Sequence, residues 1–276
     1  MTNAVQEYTV CNMEQKETIL TSVQGPVATI VLNRPEVHHA MNLQMIRELS
    51  RAFSRFGKEP GIRIILLRSS GEHFCAGADL NWMRDGMNQS EEQLKQESME
   101  LAGLFLLMTE IPRMILTAVS GKVIGGAIGL VAASDLVIAE RSTRFSFSEV
   151  KLGLIPATIA PFVIKRVGKS RAAAWMITGR WFDAEEARWA GLVDDTCETG
   201  SLEAKSSKIL EDLLACGPEA MAGIKQMVQQ FDFGEESHKM VEKSAGILAR
   251  FRISPEGQEG MAAFFEKRRP AWNENQ

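Results

Sequence analysis

Two short runs of small residues carry the strongest chemical signal in this sequence. They are HFCAGADL, at 73–80, and KVIGGAIGL, at 122–130. Each run follows an apolar stretch typical of a strand and precedes a stretch typical of a helix. Backbone N–H groups at such a junction can bind a developing negative charge. Two junctions can supply two donors to one oxygen, so the pattern indicates an oxyanion hole and an enzyme that acts on a carbonyl compound.

Each run taken alone also fits tight packing of a helix against a sheet, because glycine and alanine let two backbones approach closely. The small residues of the two runs are Ala76, Gly77, Ala78, Gly125, Gly126, Ala127 and Gly129. No Gly-Lys-Ser/Thr follows the second run, so it is not a phosphate-binding P-loop. The functional interpretation therefore depends on the two runs together.

A third feature is Glu149, in the segment RFSFSEVKLGLIP at 144–156. An acid after an alternating strand pattern can be a solvated strand end. Alternatively, the carboxylate lies at the mouth of an apolar pocket lined by Phe145 and Phe147. Partial burial there would raise the pKa of the carboxyl and suit it to proton transfer.

Other chemistry is not indicated. The four histidines lack the spacing of metal ligands, so no metal site is predicted. No GxSxG sequence is present, which argues against a nucleophile-elbow hydrolase. Asp135 is interpreted as a structural residue at the start of a strand. Trp82 and its neighbouring methionines can line an acyl pocket, although packing in the core is the commoner role for such side chains.

The composition is that of an ordinary soluble globular protein. The chain has 276 residues, 45% hydrophobic and 24% charged, with a formal net charge of −4. This charge offers no electrostatic attraction for nucleic acid. No apolar run is long enough to span a membrane, and no secretory signal is recognised. Four scattered cysteines fit a reducing compartment, so a cytoplasmic protein without a membrane partner is expected.

The pattern of elements predicts an α/β fold with largely parallel strands, followed by helices. Residues 84–100 are polar and are expected to form a mobile loop that leads into a helix. We expect a hairpin at 16–34, a helix at 43–56 and strands at 63–68, 115–120 and 135–139. Amphipathic helices are expected at 201–215, 217–231, 234–252 and 255–267. This divides the chain into a core, 1–200, and a helical region, 201–276, that makes subunit contacts.

The chain resembles the crotonase, or enoyl-CoA hydratase/isomerase, superfamily over almost its whole length. The matching motifs occur in the family's order: NRPEVHHAMN (33–42), HFCAGADL (73–80), AVSGKVIGGAIGL (118–130), FSFSEVKLGLIP (145–156), TGRWFDAEEARWAGLVD (178–194) and EGMAAFFEKRRP (260–270). The resemblance implies a spiral of ββα units and a C-terminal helical region that builds homotrimers, often paired into hexamers.

The resemblance also implies an acyl-CoA substrate and the residues that bind it. The thioester oxygen would accept hydrogen bonds from the N–H groups of Ala78 and Gly126, which stabilise an enolate. CoA is part of the substrate, so no separate cofactor is implied. The residues matched to substrate binding are Ala76, Asp79, Leu80, Trp82, Gly125, Gly129, Phe264 and Lys267, the last two covering CoA, sometimes across a subunit boundary.

One departure from the family bears on the reaction. Hydratases of the family usually carry two catalytic glutamates; the second matches Glu149, but the first falls at Gly129. The segment after Glu149 is similar to a subgroup that acts on branched or carboxylated enoyl-CoAs, such as methylglutaconyl-CoA and isohexenylglutaconyl-CoA. The leading hypothesis is an enoyl-CoA hydratase. The alternatives are a double-bond isomerase, for which one carboxylate suffices, and a non-catalytic acyl-CoA-binding protein.

Overall fold

A computed structural model describes residues 17–230 and 237–273. Its centre is a six-stranded sheet in the order β1-β2-β3-β4-β6-β9. The strands are β1 (Ile19–Gln24), β2 (Val27–Leu32), β3 (Ile64–Ser69), β4 (Met114–Val119), β6 (Leu136–Glu140) and β9 (Asp195–Cys197). β1 and β2 form the predicted antiparallel hairpin, and every other pair in this sheet is parallel. The predicted α/β class with largely parallel strands is confirmed.

A second, smaller layer lies beside the large sheet, and its extended pieces follow one another in the same order as the strands of that sheet that precede them in the chain. It contains β5 (Lys122–Ile124), β7 (Arg144–Ser146) and β8 (Phe182–Asp183), paired in that order. Two isolated bridges extend it, one between Met41 and Ala78 and one between Cys75 and Val123. Each stretch of chain thus adds a strand to the large sheet and then an extended piece to the small layer. This repetition places the ends of successive units side by side.

Helices follow these extended pieces. They are α1 (Leu43–Lys58), α2 (Leu80–Gly86), α3 (Glu91–Glu110), α4 (Gly126–Ala132), α5 (Ala160–Val167), α6 (Lys169–Thr178) and α7 (Ala184–Trp189). The predicted helix at 43–56 is confirmed as α1, which buries Ile46, Leu49, Phe53 and Phe56. The side chain of Asn42 accepts a hydrogen bond from the Met45 N–H, which caps the helix where the periodic pattern begins.

The predicted loop at 84–100 is wrong, because these residues lie mostly in α2 and α3. Ser90 starts α3 with a capping box, in which its hydroxyl accepts from the Gln93 N–H and the Gln93 side chain accepts from the Ser90 N–H. The first turns are exposed, and only the second half buries side chains against the core. A polar composition therefore reflected a solvated helix rather than a loop.

Four helices complete the described chain: α8 (Leu202–Leu214), α9 (Pro218–Gln230), α10 (Ser237–Ile253) and α11 (Pro255–Glu266). They confirm the predicted helices, whose parts at 231–236 lie outside the described residues. The first two lie against the large sheet, where α8 packs on β4 and β6, and α9 packs on β4. The predicted division of the chain at residue 200 stays a prediction. No helix in the described part of the chain is long and apolar enough to cross a membrane.

A buried ion pair joins α9 to the sheet. Lys225 Nζ lies 2.8 Å from Asp135 Oδ2 and also donates to the carbonyls of Met108 and Arg113. Asp135 accepts a hydrogen bond from the Ile115 N–H, which confirms its structural role at the start of β6. Burial raises the pKa of Asp135 and lowers that of Lys225. The pair fixes the C-terminal end of α3, the helix that carries Phe105.

Candidate active site

The two small-residue runs meet through backbone hydrogen bonds. The Cys75 N–H donates to the Lys122 carbonyl, and the Ile124 N–H donates to the Cys75 carbonyl, both at 3.1 Å. Gly77 lies so close to β5 that a methyl group on it would be 2.9 Å from the Ile124 oxygen. Its φ of +92° also favours glycine. The predicted convergence of the two junctions is therefore present.

The first candidate donor is the N–H of Ala78. Its neighbours are held by Met41, whose N–H donates to the Gly77 carbonyl at 2.7 Å and whose carbonyl accepts from the Asp79 N–H at 2.9 Å. Because successive peptide groups of an extended chain point in opposite directions, the Ala78 N–H points away from Met41. This N–H has no hydrogen-bond partner among the described residues, and Ala78 is exposed. It is free to bind a ligand oxygen.

The second candidate donor is the N–H of Gly126, the first residue of α4. The first N–H groups of a helix have no partner within it and lie at its positive end. Gly125 turns the chain at this point with φ +53° and ψ −124°, a conformation that favours glycine. The Gly125 N–H donates to the Ser146 carbonyl at 2.9 Å, so the helix start is attached to β7.

Glu149 lies against the same helix start. It belongs to a short 3-10 helix, Ser148–Leu152, that follows β7. A methyl group on Gly125 would lie 2.7 Å from Glu149 Oε1 and 3.2 Å from its Cδ, so the carboxyl packs directly on the Gly125 Cα. Glu149 Oε2 is buried and has no hydrogen-bond partner in the described part of the protein. Burial raises the pKa of Glu149 above its ordinary value, in agreement with the sequence prediction.

The position of the absent first acid is filled by apolar side chains. A methyl group on Gly129 would lie 2.5 Å from Phe105 Cζ and 2.6 Å from Ile159 Cγ2. Both side chains are buried, and the Phe105 ring contacts Phe162 edge to face at 5.6 Å. Gly129 is itself buried, so a carboxylate on α4 at this position has no room. That Gly129 contacts substrate stays a prediction.

Replacing Gly129 by alanine is expected to lower the free energy of unfolding by about 1–2 kcal/mol, because the methyl group overpacks against Phe105 and Ile159. Gly103→Ala is the matched control, since Gly103 also lies in a helix but a methyl group there would meet nothing within 4 Å. The control should gain up to about 1 kcal/mol from helix propensity. Chemical denaturation at equal protein concentration measures both; equal effects in the two variants would contradict the packing argument.

The remaining residues matched to substrate binding near the first run lie around Ala78, but the side chains of two of them bond to other residues of the protein. The Asp79 carboxylate caps α2 by accepting from the Asn81 N–H at 2.8 Å and pairs with Arg34 at 2.8 Å. Burial opposes ionisation of Asp79, but these donors hold its pKa below the ordinary value. Trp82 Nε1 donates to Glu97 at 2.6 Å, while Leu80 is 76% exposed and Ala76 is half-buried. Contacts of these residues with CoA stay predictions.

The C-terminal matches lie on α11 and its end. Phe264 is 78% exposed, and Lys267 is exposed and ends the helix in a left-handed conformation. The main contacts of α11 are with α9 and α10. Within one chain, no described contact joins either residue to Glu149. Their predicted role in covering CoA is not tested.

Sequence reasoning missed three residues that build the site. Met41 holds the Ala78 segment through its backbone, and its Cε would lie 2.9 Å from a methyl group on Gly126. Phe105 and Ile159 occupy the space over Gly129. The NRPEVHHAMN motif pointed to the first of these, but the only signal for Phe105 was helical periodicity, which does not say what a residue faces.

The sequence of the whole chain matches a known family. Residues 22–275 match the family model described as enoyl-CoA hydratase/isomerase. This chain belongs to the enoyl-CoA hydratase/isomerase family. The resemblance stated from the motifs is therefore confirmed, and the match includes both small-residue runs and Glu149.

Solved and curated relatives of the family are similar over nearly their full length. The crystal structure of an enoyl-CoA hydratase from Shewanella pealeana has 37% identity and a TM-score of 0.89, covering 92% of this chain and 96% of that one. The trans-2-decenoyl-[acyl-carrier-protein] isomerase of Streptococcus mutans is 31% identical over 94% of this chain and 98% of its own length. The mevalonyl-coenzyme A hydratase of Aspergillus fumigatus is 29% identical over 89% and 91%. The crotonase fold is confirmed, and the relatives include both hydratases and an isomerase.

Proposed function

We propose that this protein is an enoyl-CoA hydratase that works through a thioester enolate, with Glu149 as its single carboxyl acid and base. The observation that carries the proposal is the packing of Glu149 on Gly125, the residue before Gly126, whose N–H has no hydrogen-bond partner among the described residues. The free N–H of Ala78 lies on the neighbouring segment. Two donors and one proton-transfer group are the parts that such a reaction requires.

The reaction follows from these parts. The ionised Glu149 accepts a proton from water as the water oxygen bonds to the β-carbon of the enoyl thioester. The electron pair of the double bond moves toward the thioester carbonyl, and the resulting oxyanion accepts hydrogen bonds from the Ala78 and Gly126 N–H groups. Glu149 then returns the proton to the α-carbon. One water is consumed, and the carboxylate is regenerated.

A second function, double-bond isomerisation, is favoured by the surroundings of Gly129. Phe105 and Ile159 fill the space over Gly129, so α4 cannot carry a second carboxylate there to help hold water. One carboxylate can remove a proton from one carbon of the acyl chain, which gives an enolate, and return it to another carbon. The relative of Streptococcus mutans is named as an isomerase, which supports keeping this reaction as the alternative.

Turnover of enoyl-CoA in water enriched in heavy oxygen distinguishes the functions. Straight-chain, branched and carboxylated enoyl-CoAs should each be tested, with product masses read by mass spectrometry. Hydration puts one heavy oxygen into the acyl product, whereas isomerisation moves the double bond without solvent oxygen. Labelled product is the expected result. Isomerised product without label would replace the hydratase by the isomerase, and binding without turnover of any acyl-CoA would favour the non-catalytic alternative.

The subunit assembly and location belong to the same proposal. Apolar side chains of α10 and α11 are exposed in the single chain, among them Val241 and Phe265 at 65% and 78%. Exposed apolar patches are typical of subunit interfaces, which supports the predicted homotrimer or hexamer. Sedimentation of the purified protein measures its mass. The cytoplasmic location is supported only by the cysteine usage of the sequence.

A further inference from the structure

Two consecutive histidines lie in the turn that leads from β2 to α1. His38 and His39 both have left-handed backbones, with φ of +49° and +55°. Their side chains differ in environment, because His38 is exposed and His39 is only 1% exposed. A buried imidazole must find partners for both ring nitrogens inside the protein. His39 has both partners.

The hydrogen bonds of the His39 ring define its protonation. The Arg34 backbone N–H donates to His39 Nδ1 at 2.9 Å, so Nδ1 carries no proton. The proton of the neutral ring is then on Nε2, which donates to the Ser70 carbonyl. Arg34 follows β2 and Ser70 follows β3. The neutral ring therefore joins the chain at the ends of two neighbouring strands.

The backbone around His39 holds the segment that carries the Ala78 donor. The His38 carbonyl accepts from the Ala76 N–H at 2.9 Å, and the His39 carbonyl accepts from the Cys75 thiol at 3.0 Å. Burial raises the pKa of that thiol to about 12, so it keeps its proton and remains a donor. Two residues further on, Met41 bonds to both neighbours of Ala78 and places its side chain beside Gly126.

We propose that neutral His39 is a positioning residue for the oxyanion hole. Bonded to Arg34 and Ser70, it holds residues 38–41 against residues 75–79 and so sets the direction of the Ala78 N–H. The role rests on the proposed function, because it supposes that this N–H binds a thioester oxygen. His39 touches no reacting atom and acts through the chain beside it.

Protonation of His39 would break this arrangement. A proton on Nδ1 would face the Arg34 N–H, so two donors would oppose each other. Burial lowers the pKa of His39, with smaller lowering by the nearby His38 and His73; the Ser70 carbonyl and Glu36 act in the opposite direction. The ring is therefore neutral at pH 7. The unfolded chain binds this proton more readily than the folded protein does. The stability that neutral His39 contributes is therefore complete above pH ~6.5 and decreases as the pH falls below that value.

A pair of identical substitutions tests the role. His39→Leu removes both ring hydrogen bonds, whereas His38→Leu places the same side chain on a left-handed residue whose ring is exposed. We expect His39→Leu to lower kcat by about 10- to 100-fold with a smaller change in KM, since a misplaced donor weakens transition-state binding. His38→Leu keeps the backbone carbonyl that accepts from the Ala76 N–H, so it should lose much less kcat than His39→Leu. Equal kcat losses in the two variants would overturn the proposal.

Rescue and pH dependence separate positioning from general stability. In His39→Asn, the amide oxygen can accept from the Arg34 N–H, and most of the lost kcat should return. The acid side of the kcat profile should also be less steep than in the wild type, since only Glu149 then titrates. No rescue together with an unchanged acid limb would overturn the role.

Hydrogen exchange distinguishes failure of this inference from failure of the proposed function. The amides of Met41 and Asp79, which pair the two segments, should exchange faster in His39→Leu than in His38→Leu. This readout needs no substrate. If the wild type turns over no enoyl-CoA but exchange rises only in His39→Leu, the function fails while the positioning stands. Unchanged exchange in His39→Leu would reject the positioning in either case.

Discussion

Replacing Glu149 by glutamine should lower kcat for enoyl-CoA turnover by about 10²- to 10⁴-fold, the usual contribution of a positioned acid or base. Glutamine keeps the shape of the side chain that packs on Gly125 but accepts no proton. Because the backbone donors remain, KM should change much less than kcat. Loss of the enoyl thioester absorbance measures turnover for both proteins.

The pH dependence of activity and of stability also tests the role of Glu149. As a base Glu149 must be ionised, so activity should fall as the pH drops through its raised pKa, which lies above the ordinary 4.5. The unfolded chain releases this proton at lower pH than the folded protein. Ionisation therefore costs stability as the pH rises from about 4.5 through the raised pKa.

The stability of Glu149→Gln serves as the control. At pH 7 the variant should be at least as stable as the wild type, because it buries no charge beside Gly125. A thermal unfolding series across pH checks this relation. If the variant loses activity together with a large part of its stability, misfolding rather than lost proton transfer explains the result, and a kcat near that of the wild type would remove Glu149 from the mechanism.

Replacing Gly125 by alanine should lower kcat by about 10²-fold or more. The added methyl group would lie 2.7 Å from Glu149 Oε1, so the carboxyl must move, and the turn that aims the Gly126 N–H must change. Loss of one oxyanion donor alone lowers kcat by about 10²- to 10³-fold in other enzymes. Steady-state kinetics with a saturating enoyl-CoA measures the effect.

Gly25→Ala is the matched control for this change. Gly25 has the same φ of +53°, in the turn between β1 and β2, but a methyl group there would meet nothing within 4 Å. The control should lose about 1 kcal/mol of stability from left-handed strain and retain its kcat. A similar kcat loss in both variants would mean that backbone strain, rather than contact with Glu149, explains the effect.

Local sequence signals predicted helices and strands well where an apolar period and a capping residue marked the element. The helix at 43–56 has an apolar face with period 3.6 and a capping residue, and both are present in α1. The prediction for residues 84–100 failed because the helical turns there bury little, so no apolar period marked them as a helix. A capping pair, Ser90 and Gln93, was the signal that could have identified the start of α3.

The sequence by itself determined the family, the α/β class and the two small-residue junctions, and it identified Glu149 as the candidate acid. These depend on residue types in a fixed order along the chain. Only the tertiary structure decided that Phe105 and Ile159 fill the space over Gly129, that Asp79 faces Arg34, and that His39 joins the ends of two strands. The physical reason is that each of these contacts joins different segments, so its partners are chosen by packing and not by neighbours in sequence.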